Sequence, residues 1–110
     1  MNCIIYTRSL NTIAGWQSQE RQLESCRKYA IANNYNVIDE YADLGTTSDS
    51  RIEYDRMLSD VFEKQIQIIL IYSGDRITRY RNKMISLRLY LENYGIKIIC
   101  VGEEGCSKVA

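Results

Sequence analysis

The chain has 110 residues, of which 45% are hydrophobic, and its 14 Lys and Arg residues balance 14 Asp and Glu residues. This length allows one domain with a substantial core and excludes two. The zero net charge excludes an overall positive field that would draw the protein onto nucleic acid or anionic lipid, so any anion site must be local. Because the chain contains no histidine, a Ser-His-Asp triad is also excluded.

The four cysteines, Cys3, Cys26, Cys100 and Cys106, are scattered and form no C-x-x-C pair. Without histidine or further cysteines at finger-like spacing they argue against zinc. No signal peptide or long apolar segment precedes them. We therefore expect a protein of the reducing cytoplasm that holds no zinc and does not enter a membrane.

Short apolar runs alternate with amphipathic stretches, which predicts an α/β domain with helices packed on a mostly parallel sheet. The first strand covers residues 2–6. After a loop over residues 11–17, Ser18 is expected to cap a helix that runs to about Asn33, where the Asn33-Asn34 pair suits a left-handed stop. A partly exposed second strand follows at residues 37–41.

The polar stretch "ADLGTTSDSR" then predicts a flexible surface loop. Residues 54–62 have the clearest helical spacing of apolar side chains, and they form the second predicted helix. The very apolar residues 66–73 predict a central strand covered on both faces. A third helix from about Met84 to Gly95 and a fourth strand at residues 96–101 complete the predicted domain.

Polar residues follow the predicted strands, and ligands of parallel sheets bind beyond the carboxyl ends of strands. The residues placed there are Arg8, Ser9, Arg51, Asp75, Arg76 and Arg79. A guanidinium is permanently charged and binds two oxygens at once, so four at one rim predict a site for a phosphate or a phosphoryl transition state. The alternative for any single arginine is an exposed ion pair with a neighbouring acid, which is common and weak.

Other phosphate-binding designs do not fit the spacing. Arg8 stands where a receiver domain needs acidic magnesium ligands. Cys3 lies inside the first strand rather than at the opening of a phosphatase loop. No glycine-rich phosphate loop follows any strand.

The chain resembles the catalytic domain of the serine recombinases, the resolvase and invertase family, over nearly its whole length. That family has a first strand ending in Y-x-R-x-S, a following helix with glutamine and leucine, a glycine- and serine-rich loop leading to an arginine at a helix start, and a D-R-x-x-R motif. The matching positions are Tyr6, Arg8, Gln22, Leu23, residues 45–51, Asp75, Arg76 and Arg79. The last motif alone is weak evidence, but the four in order are specific.

The resemblance implies a three-layer sandwich with a mostly parallel sheet of four to five strands. It also implies site-specific DNA recombination, as in transposon and phage resolvases, invertases and integrases. In that reaction a serine hydroxyl attacks a phosphodiester, becomes joined to the 5' phosphate, and is later displaced by a new partner strand, without metal or cofactor. By resemblance, Arg8, Arg51, Arg76 and Arg79 clamp the phosphate. Asp75 orients an arginine or assists proton transfer.

Tyr6 and Gln22 are expected to support the site, and DNA is the implied partner. The family places its nucleophile two residues after the first arginine, where this chain has Leu10. Ser9 is one residue early, and adjacent residues of a strand point to opposite faces. Three interpretations stay open: the nucleophile is lost, Ser9 reaches the site from a loop, or Thr12 or Ser18 replaces it.

The resemblance also implies a dimer that pairs into a tetramer through a long helix, followed by a DNA-binding domain. The domain is expected to span residues 1–110 without that helix or DNA-binding domain, as a fragment of a longer recombinase or as a short protein. The alternative function is a catalytically silent family member that binds DNA or recombinase subunits. A phosphate-binding module unrelated to recombination is a weaker alternative.

Overall fold

The computed structural model describes residues 1–45 and 51–102. Within these ranges the fold is α/β, as predicted, with every strand in one parallel sheet. Its elements are β1 (Asn2–Ser9), α1 (Ile13–Ala32), β2 (Asn36–Leu44), α2 (Ile52–Glu63), β3 (Ile68–Ile71), α3 (Arg81–Glu92) and β4 (Lys97–Cys100), with a 3₁₀ turn (Gly74–Arg76) after β3. The predicted loop covers residues 42–51; residues 42–44 are instead the end of β2, and residues 46–50 lie outside the described residues.

The sheet has the strand order β2-β1-β3-β4. Since the chain first moves from β1 to β2 and then crosses back to β3, the order reverses between β1 and β3, which is where α/β sheets form ligand crevices. Pairing of β1 with β3 covers only Cys3 to Ile5, whereas its pairing with β2 continues to Ser9. The carboxyl end of β1 therefore projects beyond β3 and leaves room for a cleft.

Helices cover both faces of the sheet, in agreement with the predicted three layers. Successive residues of β1 alternate between the faces, as in any strand. Cys3 and Ile5 pack in the core beneath α1, whereas Ile4 and Tyr6 pack in the core beneath α2 and α3. All four are fully buried, so β1 is the central support of the site that its end carries.

The start of the first helix differs from the prediction. The helix begins at Ile13, and Thr12, not Ser18, caps it by accepting a hydrogen bond from the Gly15 backbone N–H at 3.0 Å. The predicted loop over residues 11–17 is therefore mostly helix. Gly15 does not supply loop freedom there: a Cβ at this position would lie 1.9 Å from the Leu10 carbonyl oxygen, so glycine allows the helix to approach the end of β1.

Strand bounds also differ from the prediction. The first strand continues through Ser9 and the second through Leu44, whereas the third and fourth are limited to four residues each. The predicted left-handed stop of α1 is confirmed, because Asn34 has a φ of 57°. Asn34 and Gly95 both adopt this conformation in the short connection between a helix and the next strand.

Two cysteines, Cys3 and Cys26, are free thiols buried in the core beneath α1. Burial raises the pKa of the Cys26 thiol to about 12, so it stays protonated and unreactive at neutral pH. Cys100, at the end of β4, is disulfide-bonded. No disulfide was predicted from the sequence, because a reducing compartment was expected.

Candidate functional site

A cleft of about 590 Å³ opens at the carboxyl ends of β1 and β3. Its lining contains every residue that was predicted at the strand ends: Arg8, Ser9, Arg51, Asp75, Arg76 and Arg79. We call it the arginine cleft. Among residues 1–45 and 51–102, the lining contains four arginines and Lys83 against one acid, Asp75. In a chain without net charge this local excess favours an anion.

Two of the arginines also connect the elements that form the cleft. Arg76 Nη1 donates to the Arg8 carbonyl at 3.2 Å, where β1 has no β3 partner. Arg51 Nη2 donates to the Arg76 carbonyl at 2.8 Å. The Nε atoms of Arg51 and Arg76 are buried without a hydrogen-bond partner.

Gln22 holds the end of β1 from the side of α1. Its Oε1 accepts from the Arg8 backbone N–H at 3.2 Å, and its Nε2 donates to the Arg8 carbonyl at 3.1 Å and to the Ser9 Oγ at 2.9 Å. Gln22 is fully buried, and an unpaired amide there would be costly. This double contact fixes the backbone of Arg8 and the hydroxyl of Ser9 at once.

Ser9 lines the arginine cleft although it belongs to a strand. The prediction that it reaches the site from a loop is wrong about the backbone, because β1 continues through this residue. Its side chain is 8% exposed, and its Oγ accepts from Gln22. Leu10, which occupies the family's nucleophile position, also lines the cleft and is 56% exposed.

The two substitute hydroxyls are engaged elsewhere. Thr12 Oγ1 caps α1, and Ser18 Oγ accepts from Gln22 Nε2 at 3.1 Å. Neither residue lines the arginine cleft. Of the three serine and threonine candidates, Ser9 alone lies with the arginines.

Tyr6 supports the site through a residue that the sequence analysis did not select. Its hydroxyl donates to Asp43 Oδ2 at 2.8 Å. The pKa of Tyr6 is raised, mainly by burial and then by this hydrogen bond. Asp43 also accepts from the backbone N–H groups of Glu53 and Tyr54, each at 3.0 Å. The buried carboxylate therefore caps α2 and fixes Arg51, which precedes the helix as predicted.

Asp75 is the acid of the cleft, with a side chain that is 61% exposed. It accepts a hydrogen bond from the Ser73 hydroxyl. Its Oδ1 lies 3.7 Å from Arg76 Nε, which is an ion pair but too long for a hydrogen bond. This geometry suits a carboxylate that orients Arg76.

Three further lining residues, Thr78, Tyr80 and Lys83, were also missed. They follow or interrupt the D-R-x-x-R motif in the run "RITRYRNK". An aromatic residue among basic ones is a usable signal for nucleic-acid binding. Asp43 carried a weaker signal, as an acid near the end of an otherwise half-buried strand.

The family model for the resolvase N-terminal domain matches residues 3–108. The chain belongs to this family. Membership confirms the predicted α/β fold and the predicted family. Domains of this family occur in site-specific recombinases.

Solved structures support the assignment. A resolvase family site-specific recombinase from Streptococcus pneumoniae has a TM-score of 0.80 and 28% identity, over 92% of this chain and 72% of that one. The N-terminal catalytic domain of TP901-1 integrase has a TM-score of 0.76 and 25% identity, over 92% and 77%. The C-terminal catalytic domain of ISC1926 TnpA, an IS607-like serine recombinase, has a TM-score of 0.80 and 24% identity, over 99% and 74%.

No curated protein matches the sequence of this resolvase domain. Across residues 1–45 and 51–102, three or more Cys, Asp or Glu side chains are nowhere grouped so as to hold a metal ion. The same part of the chain contains no helix that combines the length and the apolar character of a membrane span.

Proposed function

We propose that this resolvase domain catalyses DNA strand exchange, with Ser9 as the nucleophile and the arginine cleft as the site of the scissile phosphate. The observation that supports the proposal best is that Ser9 and four arginines from β1, α2 and the segment after β3 line one cleft. DNA is the substrate because a phosphodiester supplies the anionic oxygens that converging guanidinium groups bind.

The covalent step balances without an external energy source. Ser9 Oγ gives its proton to a water in the cleft and forms a bond to phosphorus, the bond between phosphorus and the 3' oxygen breaks, and the released 3' oxygen takes up a proton from water to become a hydroxyl. The 5' phosphate then remains esterified to the serine. Attack by the 3' hydroxyl of a new partner strand reverses these steps and frees Ser9.

Gln22 holds the Ser9 hydroxyl on the α1 side of β1, so the hydroxyl must rotate away from Gln22 to attack a phosphate in the cleft. Gln22 donates to Ser9 Oγ, so the hydroxyl keeps its own proton for an acceptor in the cleft. The arginines would stabilise the additional charge of the five-coordinate phosphorus, since preorganised donors act most strongly where charge develops. Asp75 would hold Arg76 in place, and a water would deliver the proton to the leaving oxygen.

Two further parts of the proposal concern the assembly and the compartment. Recombination joins two DNA partners, so at least two copies of the domain must act together, as a dimer that pairs into a tetramer. The reaction would take place in the cytoplasm. Analytical ultracentrifugation with and without DNA would measure the first of these expectations.

The test is the covalent adduct. The 110-residue chain is mixed with a pool of nicked duplexes whose central sequence is randomised, so that no target need be known. Labelled DNA that stays bound to protein on a denaturing gel marks the phosphoserine bond. We expect an adduct with the unmodified chain and none with Ser9→Ala.

Matched controls separate chemistry from folding. Ser59→Ala changes an exposed serine of α2 and should leave the adduct unchanged. Arg79→Ala should slow adduct formation about 100-fold, the usual effect of losing one transition-state donor. Arg27→Ala, which affects an exposed pair with Glu40, should not. An adduct that survives Ser9→Ala would exclude Ser9, and DNA binding without any adduct would support the silent alternative.

A further inference from the structure

The arginine cleft extends beyond its arginines, along the start of α3. Tyr80 and Lys83 line this end of it. The Tyr80 side chain is 55% exposed, although its backbone N–H is fixed by Thr78 Oγ1 at 3.1 Å. The backbone at Tyr80 is therefore fixed, while more than half of the residue is exposed.

The charges at this end of the cleft are available for a ligand. The Lys83 ammonium lies 5.0 Å from the centroid of the Tyr80 ring. No carboxylate among residues 1–45 and 51–102 forms an ion pair with Lys83 or Arg79. The first turn of α3 also has no acidic residue and no side-chain cap, so its N–H groups add partial positive charge.

The order of these groups in the sequence matches the order of groups along a DNA strand. A nucleoside lies between consecutive phosphates, and Tyr80 lies in sequence between Arg79 and Lys83. An aromatic ring stacks on a base of any sequence, and a lysine binds a phosphate as a point charge. Rejoining to a new partner also requires the bases beside the break to lose their old partners, which leaves a base free to stack.

We propose that Tyr80 and Lys83 form a second subsite, which binds the nucleotide next to the scissile phosphate through base stacking on Tyr80 and an ion pair of its phosphate with Lys83. This subsite rests on the proposed function, since it needs a phosphate in the arginine cleft. It adds affinity without sequence preference, because neither contact reads a base edge.

Small ligands can test the subsite independently of any target sequence. The probes are inorganic phosphate, the dinucleotide pTpT, and a pTpT analogue that lacks the base of one nucleotide. Each is titrated into the 110-residue chain while backbone amide shifts are followed by NMR. The unmodified chain should bind pTpT more tightly than either of the other two.

The variants measure the Lys83 ion pair and the stacking on Tyr80 separately. Lys83→Gln should weaken pTpT about fivefold, the upper end for an exposed ion pair, and leave inorganic phosphate unchanged. Tyr80→Ala should weaken pTpT about tenfold and remove the difference between pTpT and its abasic analogue, whereas Tyr80→Phe should retain both. Lys97→Gln is the matched control, because Lys97 is exposed at the start of β4, at the opposite end of the sheet.

The outcomes are distinguishable. Unchanged pTpT binding by Lys83→Gln and Tyr80→Ala would overturn the subsite, while loss of phosphate binding in Arg79→Ala would still support the arginine cleft. If neither phosphate nor pTpT binds the unmodified chain, the clamp itself is wrong, and the subsite with it. An equal loss with Lys97→Gln would show general charge attraction and would also overturn the subsite.

Discussion

At the scale of single residues, the Tyr6–Asp43 contact is the support on which Arg51 depends. Asp43 is 6% exposed and accepts three hydrogen bonds, from Tyr6 and from two backbone N–H groups of α2. A carboxylate has two oxygens for these donors, whereas an amide has one and adds donors of its own. The site therefore requires an acid rather than a polar residue in general.

Replacing this acid should destabilise the fold and the site together. Asp43→Asn leaves at least one buried donor without an acceptor, which costs about 1–3 kcal/mol. Urea unfolding measures the loss, and phosphate binding should weaken with it because Arg51 is displaced. Asp55→Asn, at an exposed position in the same helix turn, should cost less than about 1 kcal/mol. Equal costs in the two variants would argue against the capping role.

Alkaline pH should reveal the same contact. Burial and Asp43 raise the pKa of Tyr6 above its ordinary value of 10.0, so the folded chain keeps a proton that the unfolded chain releases. The stabilising effect is complete below pH 10 and is lost as the pH rises toward the folded pKa. The free energy of unfolding, measured with urea, should therefore fall less above pH 10 for Tyr6→Phe than for the unmodified chain. An unchanged slope would contradict the assignment.

The arginines and the hydroxyls differ in how far the sequence predicts them. An arginine at a strand end is long enough to reach a cleft whichever way the backbone turns, so all four were placed correctly. The Ser9 hydroxyl has one rotatable bond, and its direction depends on where β1 ends and where Gln22 lies. Those are tertiary facts, and no local pattern around Ser9 encodes them.

At the scale of elements, the boundary errors have a common cause. The strand prediction stopped at Tyr6 because polar residues follow it, yet β1 continues since β2 pairs with it up to Ser9. The start of the first helix was predicted at Ser18 because the segment after Thr12 contains Gly15 and was interpreted as a loop. Packing against the Leu10 carbonyl explains that glycine, and it cannot be read from periodicity.

The contact between α2 and the edge strand β2 should be sensitive to acid. Asp60 accepts from the Tyr41 hydroxyl at 2.8 Å and pairs with Lys64 at 3.3 Å, and these contacts lower the pKa of Asp60 below its ordinary value of 3.8. A lowered folded pKa stabilises the fold above pH 3.8, and the contribution is lost as the pH falls through the folded value.

Asp60→Asn should therefore flatten the stability profile below pH 4 while lowering stability at neutral pH. Thermal unfolding between pH 2.5 and 7 measures this. Glu63→Gln, an exposed change in the same helix, is the control and should keep the unmodified profile. If the two variants show the same acid dependence, the Tyr41–Asp60 contact does not contribute.

At the scale of the whole molecule, a neutral protein concentrates five positive side chains around one cleft. The fold as an α/β sheet was predictable, because alternation of apolar runs and amphipathic helices is a property of the entire chain. So was a crevice beyond the carboxyl ends of the strands, whereas the strand order that places it between β1 and β3 was not predicted. Mutual repulsion in that crevice is the cost of binding a phosphate, and it disappears only when an anion is bound.

A bound anion should therefore stabilise the fold. Sulfate has the charge and shape of a phosphate group, and at ten times its Kd it would add about 1.4 kcal/mol by mass action. For a chain of this size that is about 6 to 10 °C in Tm.

Sulfate also stabilises proteins generally, so Arg79→Ala is the reference: it removes one guanidinium that has no ion pair within the described ranges. We expect the Tm of Arg79→Ala to rise less with sodium sulfate than the Tm of the unmodified chain does. With sodium chloride at matched ionic strength, we expect the same small rise in both proteins. The same sulfate response in both proteins would mean that the arginines do not act as one anion site.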